Sequence, residues 1–259
     1  MTVGEVYQKI DELAPFVLQE SYDNAGLLVG DAAREVTGIH VALDVTEAVL
    51  DEAASLGANL LVTHHPLMFS PIRRITADDY ESRLLARLIR GRMSLIAAHT
   101  NLDRAPHGVS QVLAETCGLE GITGDGFLRV GELPVPMTAG VLAGHVSAAL
   151  GDTVRVMGQS EKEIRRVAVV SGAGSDFWQE ALQAGAEALI TGEVKHHLAL
   201  AAADAGLVLL EAGHFATEQP GIFALGDTLQ NWLDKVQCTM RVSKSRAGAY
   251  ALPREMPRD

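Results

Sequence analysis

The chemistry of this chain is concentrated in histidines and carboxylates that stand at the ends of apolar runs. Thr63-His64-His65-Pro66 closes one such run, His99 and Asp103 follow a second, and His214 and Glu218 follow a third. In the last two pairs the acid comes four residues after the imidazole, a spacing that puts both on one side of a helically turning segment. Imidazole nitrogens and carboxylate oxygens are ligands suited to zinc, iron, manganese or cobalt. In a continuing strand His64 and His65 would face opposite sides. Both serve one site only if the chain bends there or if they address two different metals. An isolated His-His reads more readily as a surface pair, and His99 or His214 alone equally as a buried, hydrogen-bonded histidine; taken together, the residues point to metal. Glu193, His196 and His197 follow a further run, where they could furnish a general acid or substrate contacts or simply form an exposed charged loop. Asp23 and Asn24 read as a turn ahead of Gly26, and His40, His107 and His145 lack partners by spacing.

The segments that must hold these residues alternate between short β-rich runs and longer helical patterns, the sign of α/β layering. Strands are expected over 39–43, 59–63 and 94–98, with helices capped by Thr46, over 81–90 and over 108–117. In the second half, strands are expected over 167–170 and 188–191, a helix opening at Ser175 or Asp176 and stopping at Gly185, and a helix over 138–150. The two halves echo each other. Gly57-Ala58-Asn59-Leu60-Leu61-Val62-Thr63 parallels Gly185-Ala186-Glu187-Ala188-Leu189-Ile190-Thr191, and the run ending at His99 parallels the run ending at His214. The Gly- and Pro-rich stretch 121–163 is the expected boundary, giving domains 1–125 and 126–259. Within it Phe127, Val130, Leu133, Val135 and Met137 could pack inside the subunit or serve association.

Composition excludes several classes. The chain of 259 residues is 47% hydrophobic and 21% charged, an ordinary globular mix, and its formal charge of −12 disfavours sequence-general nucleic-acid binding. Cys117 and Cys238 offer neither a disulfide framework nor a thiolate cluster, which suits a reducing compartment. The charged N-terminus lacks a signal-peptide core and the most apolar stretch is broken by Asp204, so a cytoplasmic protein with no membrane association is expected. Ser171-Gly172-Ala173-Gly174-Ser175-Asp176 joins a strand to a helix, yet Phe177 stands where the dinucleotide fingerprint needs its third glycine, so no such site is expected. Phe177 and Trp178 read as core of their helix.

Taken in order, Ser21-Tyr22-Asp23-Asn24-Ala25-Gly26-Leu27, Leu43-Asp44-Val45-Thr46, Thr63-His64-His65-Pro66, His99-Thr100-Asn101-Leu102-Asp103, Thr191-Gly192-Glu193 with His196-His197, and Gly213-His214-Phe215-Ala216-Thr217-Glu218 resemble the GTP cyclohydrolase I type 2 family, also called NIF-three-like dinuclear metal proteins. The resemblance implies two similar α/β domains with mixed sheets flanked by helices and a metal site between them. It implies two divalent ions per subunit held by His64, His65, Asp103, His214 and Glu218, with His99 orienting ligands through a hydrogen bond. It also implies a homohexamer, a trimer of dimers. Two such ions outweigh the charge of Asp103 and Glu218, so the site should attract an anionic small molecule and acidify water for hydrolysis. The family name suggests ring opening of GTP with formate release. A phosphatase or phosphodiesterase would use the same ligands, and a non-catalytic metal-binding, metal-delivering or regulatory hexamer is the alternative class.

Overall fold

The computed structural model describes residues 1–248. Packing divides them into two units: Met1–Ala105 with the described residues from Ile222 on, and Pro106–Gly221. In chain order the first unit contains α1 (Val3–Leu13), β1 (Gly26–Val29), β2 (Ile39–Ala42), α2 (Glu47–Ser55), β3 (Leu60–Thr63), α3 (Tyr80–Arg90), β4 (Ser94–Ala97) and the one-turn α4 (Thr100–Asp103). The second contains α5 (Val109–Thr116), β5 (Glu120–Thr123), β6 (Arg129–Thr138), α6 (Ala139–Leu150), β7 (Arg155–Met157), β8 (Glu163–Val170), α7 (Trp178–Gln183), β9 (Ala188–Thr191), α8 (His196–Asp204) and β10 (Val208–Glu211). The long α9 (His214–Lys235) starts in the second unit and ends in the first, where β11 (Val242–Lys244) follows.

Each unit is built on one mixed sheet, ordered β1-β4-β3-β2-β11 in the first and β5-β6-β8-β9-β10-β7 in the second. The strands that lead to the histidines are parallel: β2, β3 and β4 in one unit, β8, β9 and β10 in the other. Every residue of β2, β3, β4 and β9 is buried, which is why they read as largely apolar runs, with His40, Ser94 and the terminal Thr63 and Thr191 as the polar members. An antiparallel edge strand flanks each set, β1 beside β4 and β7 beside β10. The two halves therefore share a four-strand arrangement, as the internal echo leads one to expect.

Helix starts follow the local chemistry. Thr46, Asp79 and Thr138 cap α2, α3 and α6 by accepting the backbone N–H three residues on, and Thr2 with Glu5 makes a capping box on α1. In the second unit β8 sends Val167 and Val169 to one apolar layer and Ala168 and Val170 to the other, so helices cover both faces. Phe177 and Trp178 pack against the second of these layers. Where a helix is expected to open at Ser175 or Asp176, the chain first makes a tight turn over Gly174–Phe177 and only then enters α7.

The stretch 121–163, expected as the boundary, lies within the second unit: it carries most of β5 and all of β6 and β7 of the second sheet, together with α6, and Pro134 and Pro136 stand inside β6. The prolines are tolerated because the register of β6 against β8 slips between Glu132 and Met137, so their missing N–H groups break no regular ladder. The division of the chain therefore falls at 105/106 and 221/222, where the sequence expectation has a single cut after 125. Val130 and Leu133 are buried in the second unit while Val135 is exposed. No helix among the described residues is long and apolar enough to cross a membrane.

Candidate metal centre

In the first unit the site lies past the carboxyl ends of three adjacent parallel strands, where open α/β sheets place their ligands. Asp44 follows β2, His64 and His65 follow β3, and His99 with Asp103 follows β4. The chain does bend after Thr63. Its hydroxyl donates to the carbonyl of His65 at 2.8 Å, while the N–H groups of His64 and His65 still reach Ala42 and Leu43 of the neighbouring strand segment. Both imidazoles consequently face one cluster: ring centroids lie 5.1 Å apart for His64 and His65, 5.1 Å for His64 and His99, and 5.6 Å for His65 and His99. His64 is wholly buried and Asp103 nearly so.

The nitrogen that each ring turns outward from the cluster is engaged. Nδ1 of His64 donates to the carbonyl of Ala98 at 2.8 Å, Nδ1 of His65 to Asp44 at 2.7 Å, and Nδ1 of His99 to Asp23 at 2.7 Å. Each acceptor fixes the Nδ1–H tautomer and leaves Nε2 as the ring's lone-pair nitrogen, the arrangement that orients imidazoles toward a metal. Asp23 is itself locked. Its side-chain oxygens accept from Asn24 N–H at 2.7 Å and Thr100 N–H at 3.0 Å as well as from the Thr100 hydroxyl. Burial alone would raise the Asp23 carboxyl; the hydrogen bonds from His99 and Thr100 outweigh it and hold the group well below the usual carboxylate range.

The second unit repeats the device. His214 and Glu218 open α9 and stand one turn apart, Nε2 to Oε2 at 3.0 Å, and Nδ1 of His214 meets Glu193 at 2.9 Å. Three loops from the ends of β8, β9 and β10 close tightly beneath them: Gly192 N–H and Glu193 N–H both donate to Gly172 carbonyl, Gly213 N–H donates to Gly192 carbonyl, and the Thr217 hydroxyl accepts from Gly172 N–H. Gly172, at φ +62°, has no room for a side chain. A β-carbon there would collide with the Glu218 carboxylate and stand 3.2 Å from Nε2 of His214.

These residues fit a divalent cation. Nε2 of His64 and Oδ1 of Asp103 are 3.6 Å apart, too far for a hydrogen bond but close to the edge, about 3.4 Å, of a tetrahedron with metal–ligand bonds near 2.1 Å. Ligand atoms of His64, His65 and His99 lie within 4.8 Å of one another, close enough to hold a metal ion together. His99 thus sits inside the imidazole cluster, and it is Asp23 that orients it. Glu193 has a defined place on His214, whereas His196 and His197 are exposed on the first turn of α8. Spacing alone misses Asp23 and Asp44, which the structure places as acceptors of imidazole Nδ1–H groups; the one sequence signal for them is that they lie within the family-like segments Ser21–Leu27 and Leu43–Thr46. His40 also has partners that spacing hides, Ser243 at 2.8 Å and Glu52 at 3.3 Å, and these tie β11 to its neighbour.

The chain belongs to the Duf34/NIF3 (NGG1p interacting factor 3) family, whose model matches residues 1–247. It is 35% identical to a GTP cyclohydrolase 1 type 2 homolog of Clostridium perfringens over 244 residues, covering 90% of this chain and 93% of that one. A protein of the same description from Streptomyces coelicolor is 37% identical over 235 residues, covering 84% and 82%. Among solved structures, Staphylococcus aureus protein SA1388 superposes with a TM-score of 0.92 at 30% identity, over 96% of this chain and 97% of that one.

Proposed function

We propose that His64, His65 and Asp103 of the first unit and His214 and Glu218 of the second are metal ligands for two divalent ions per chain, and that the protein is a hydrolase of an anionic, nucleotide-like or phosphorylated small molecule. The observation that carries this reading is the common state of the histidines: each gives Nδ1–H to a fixed acceptor, and a hydrogen-bonded surface histidine has no need of such uniformity. When bound, such ions supply Lewis acidity and acidify water toward neutral pH. The chain's own residues position and insulate. Asp23, Asp44, Glu193 and the Ala98 carbonyl set ring orientation, burial of His64, Asp103 and Glu218 strengthens their electrostatics, and the glycine-lined loops keep side chains out of the space around Glu218.

Elemental analysis of metal-loaded protein after dialysis tests the ligands. His65→Ala or Glu218→Ala should each lose at least one ion per chain, and two ions retained in both variants refutes the assignment. Formate and orthophosphate release, followed side by side on GTP, separates ring opening from phosphoryl hydrolysis. Silence in both assays, with metal handed readily to a chelator, favours a carrier. The family resemblance adds a hexamer to the proposal, and light scattering that reports a monomer at micromolar concentration overturns that part.

A further inference from the structure

Beside the imidazole cluster two aromatic rings stand largely in solvent. Tyr22 is 62% exposed and Phe69 48% exposed, their centroids lie 6.3 Å apart at 42°, and the edge of Phe69 meets His99 at 6.2 Å and 79°. Single exposed apolar side chains are ordinary. Two large rings in contact with each other and with a histidine of a candidate centre are not, least of all on segments this firmly held. Asn24, two residues after Tyr22, donates to the carbonyl of Met68 at 2.6 Å, immediately before Phe69. Asp23, adjacent to Tyr22, is locked to His99 and Thr100. The rings are therefore pre-organised at the edge of the site and pay little ordering entropy on binding.

Their occupant can be argued from what surrounds them. The ring of Phe69 meets His99, one of the three imidazoles whose ligand atoms cluster closely enough to hold a metal ion. An aromatic face beside a site that fits divalent cations complements a flat ring that carries negative charge; an aliphatic or peptide partner would need neither the ring geometry nor the cations.

We propose that Tyr22 and Phe69, in tilted contact with each other, together clamp one face of the planar heterocycle of an anionic substrate, so that the site prefers heteroaromatic phosphates to bare phosphate chains. This rests on the metal-centre reading above and adds the substrate class to it. The test is isothermal titration of metal-loaded protein with GTP, CTP and inorganic tripolyphosphate. Tyr22→Leu and Phe69→Leu should each weaken GTP and CTP about tenfold while tripolyphosphate changes less than about twofold, and Phe69→Trp should restore nucleotide binding. Equal weakening of all three probes, no weakening of any, or wild-type protein that binds tripolyphosphate as tightly as GTP overturns the clamp and leaves the metal centre standing. Wild-type protein that binds none of the three overturns both readings. A fall in oligomer mass by light scattering in the leucine variants assigns the rings to a subunit contact and overturns the clamp. Far-ultraviolet circular dichroism and metal content, unchanged in the variants, show that the fold survives.

Discussion

Gly172→Ala separates backbone strain from the geometry of the second-unit site. Gly172 has φ +62°, and a β-carbon on it meets the Glu218 carboxylate and Nε2 of His214. Gly151, at the C-terminus of α6, has nearly the same backbone, φ +69°, with nothing within 4 Å of its would-be β-carbon. Placing alanine in the left-handed region costs about 1–2 kcal/mol at either position. Only at 172 must Glu218, which is buried, also move, and over-packing of that kind adds about 1–3 kcal/mol. Gly151→Ala should thus lower the melting temperature by about 2–8 °C and Gly172→Ala by about 4–20 °C, taking about 2–4 °C per kcal/mol for a chain of this size. Metal binding should separate them further. Gly151→Ala should load as the wild type does, whereas Gly172→Ala should bind at least one ion about 10–100-fold more weakly, the loss that follows from disturbing even a ligand's supporting partner. Scanning calorimetry and competition with a chromophoric chelator read the two effects. Equal metal affinity in both variants would refute the argument that Glu218 and His214 occupy a space that Gly172 keeps open for a ligand role.

Two further outcomes follow from the buried groups. Asp23→Asn should cost about 2–3 kcal/mol at pH 7, since it weakens charge-assisted hydrogen bonds to His99 and Thr100. Because the folded carboxyl is depressed, its contribution is complete above the unfolded value near pH 4 and is lost progressively as pH falls from there through the lower folded value; the gap between urea midpoints should therefore narrow between about pH 5 and pH 3 without closing, and a gap that stays constant refutes the assignment. Desolvation pushes the thiol of the half-buried Cys117 up to about 12, so iodoacetamide at pH 8 should label it more slowly in the folded protein than in urea, which mass spectrometry will show.

Much of this arrangement can be read before any coordinates are seen, because the informative strands are buried on both faces and announce themselves as apolar runs. β3, β4 and β9 fall where those runs predict, and Thr46 and Thr138 cap their helices as their hydroxyls require. Where pattern reading fails, the physics is different. β6 hides behind Pro134 and Pro136, which ordinarily argue against a strand but here fall within a slipped register. The return of α9 and β11 to the first unit depends on contacts made from residue 222 onward with strands some 200 positions earlier, such as Ser243 with Ile39 and His40, and no local signal encodes those. The bend after Thr63 depends on one hydroxyl, and spacing alone leaves His64 and His65 facing either the same way or opposite ways.

Sheet register shows how the two similar halves present different side chains past the ends of their strands. Ala42, Thr63 and Ala97 lie level across the first sheet, and Val170, Thr191 and Glu211 lie level across the second. Two positions past the first strand of each set stand Asp44 and Gly172; one and two past the middle strand stand His64-His65 and Gly192-Glu193. Glycines in the second half thus replace Asp44 and His64 of the first. Their lack of side chains admits the start of α9, whose Glu218 fills the space over Gly172. The His-x-x-x-acid echo is also offset by one residue: His99 is two positions past Ala97, whereas His214 is three past Glu211, so that Thr100 occupies the place of His214. In the first half that place is spent on holding Asp23, and in the second it presents an imidazole held by Glu193. One strand framework therefore supports an imidazole-rich set in one unit and a helix-borne histidine and carboxylate in the other. A glycine-to-side-chain change at 172 or 192 should damage the second set while leaving the first unit's cluster intact.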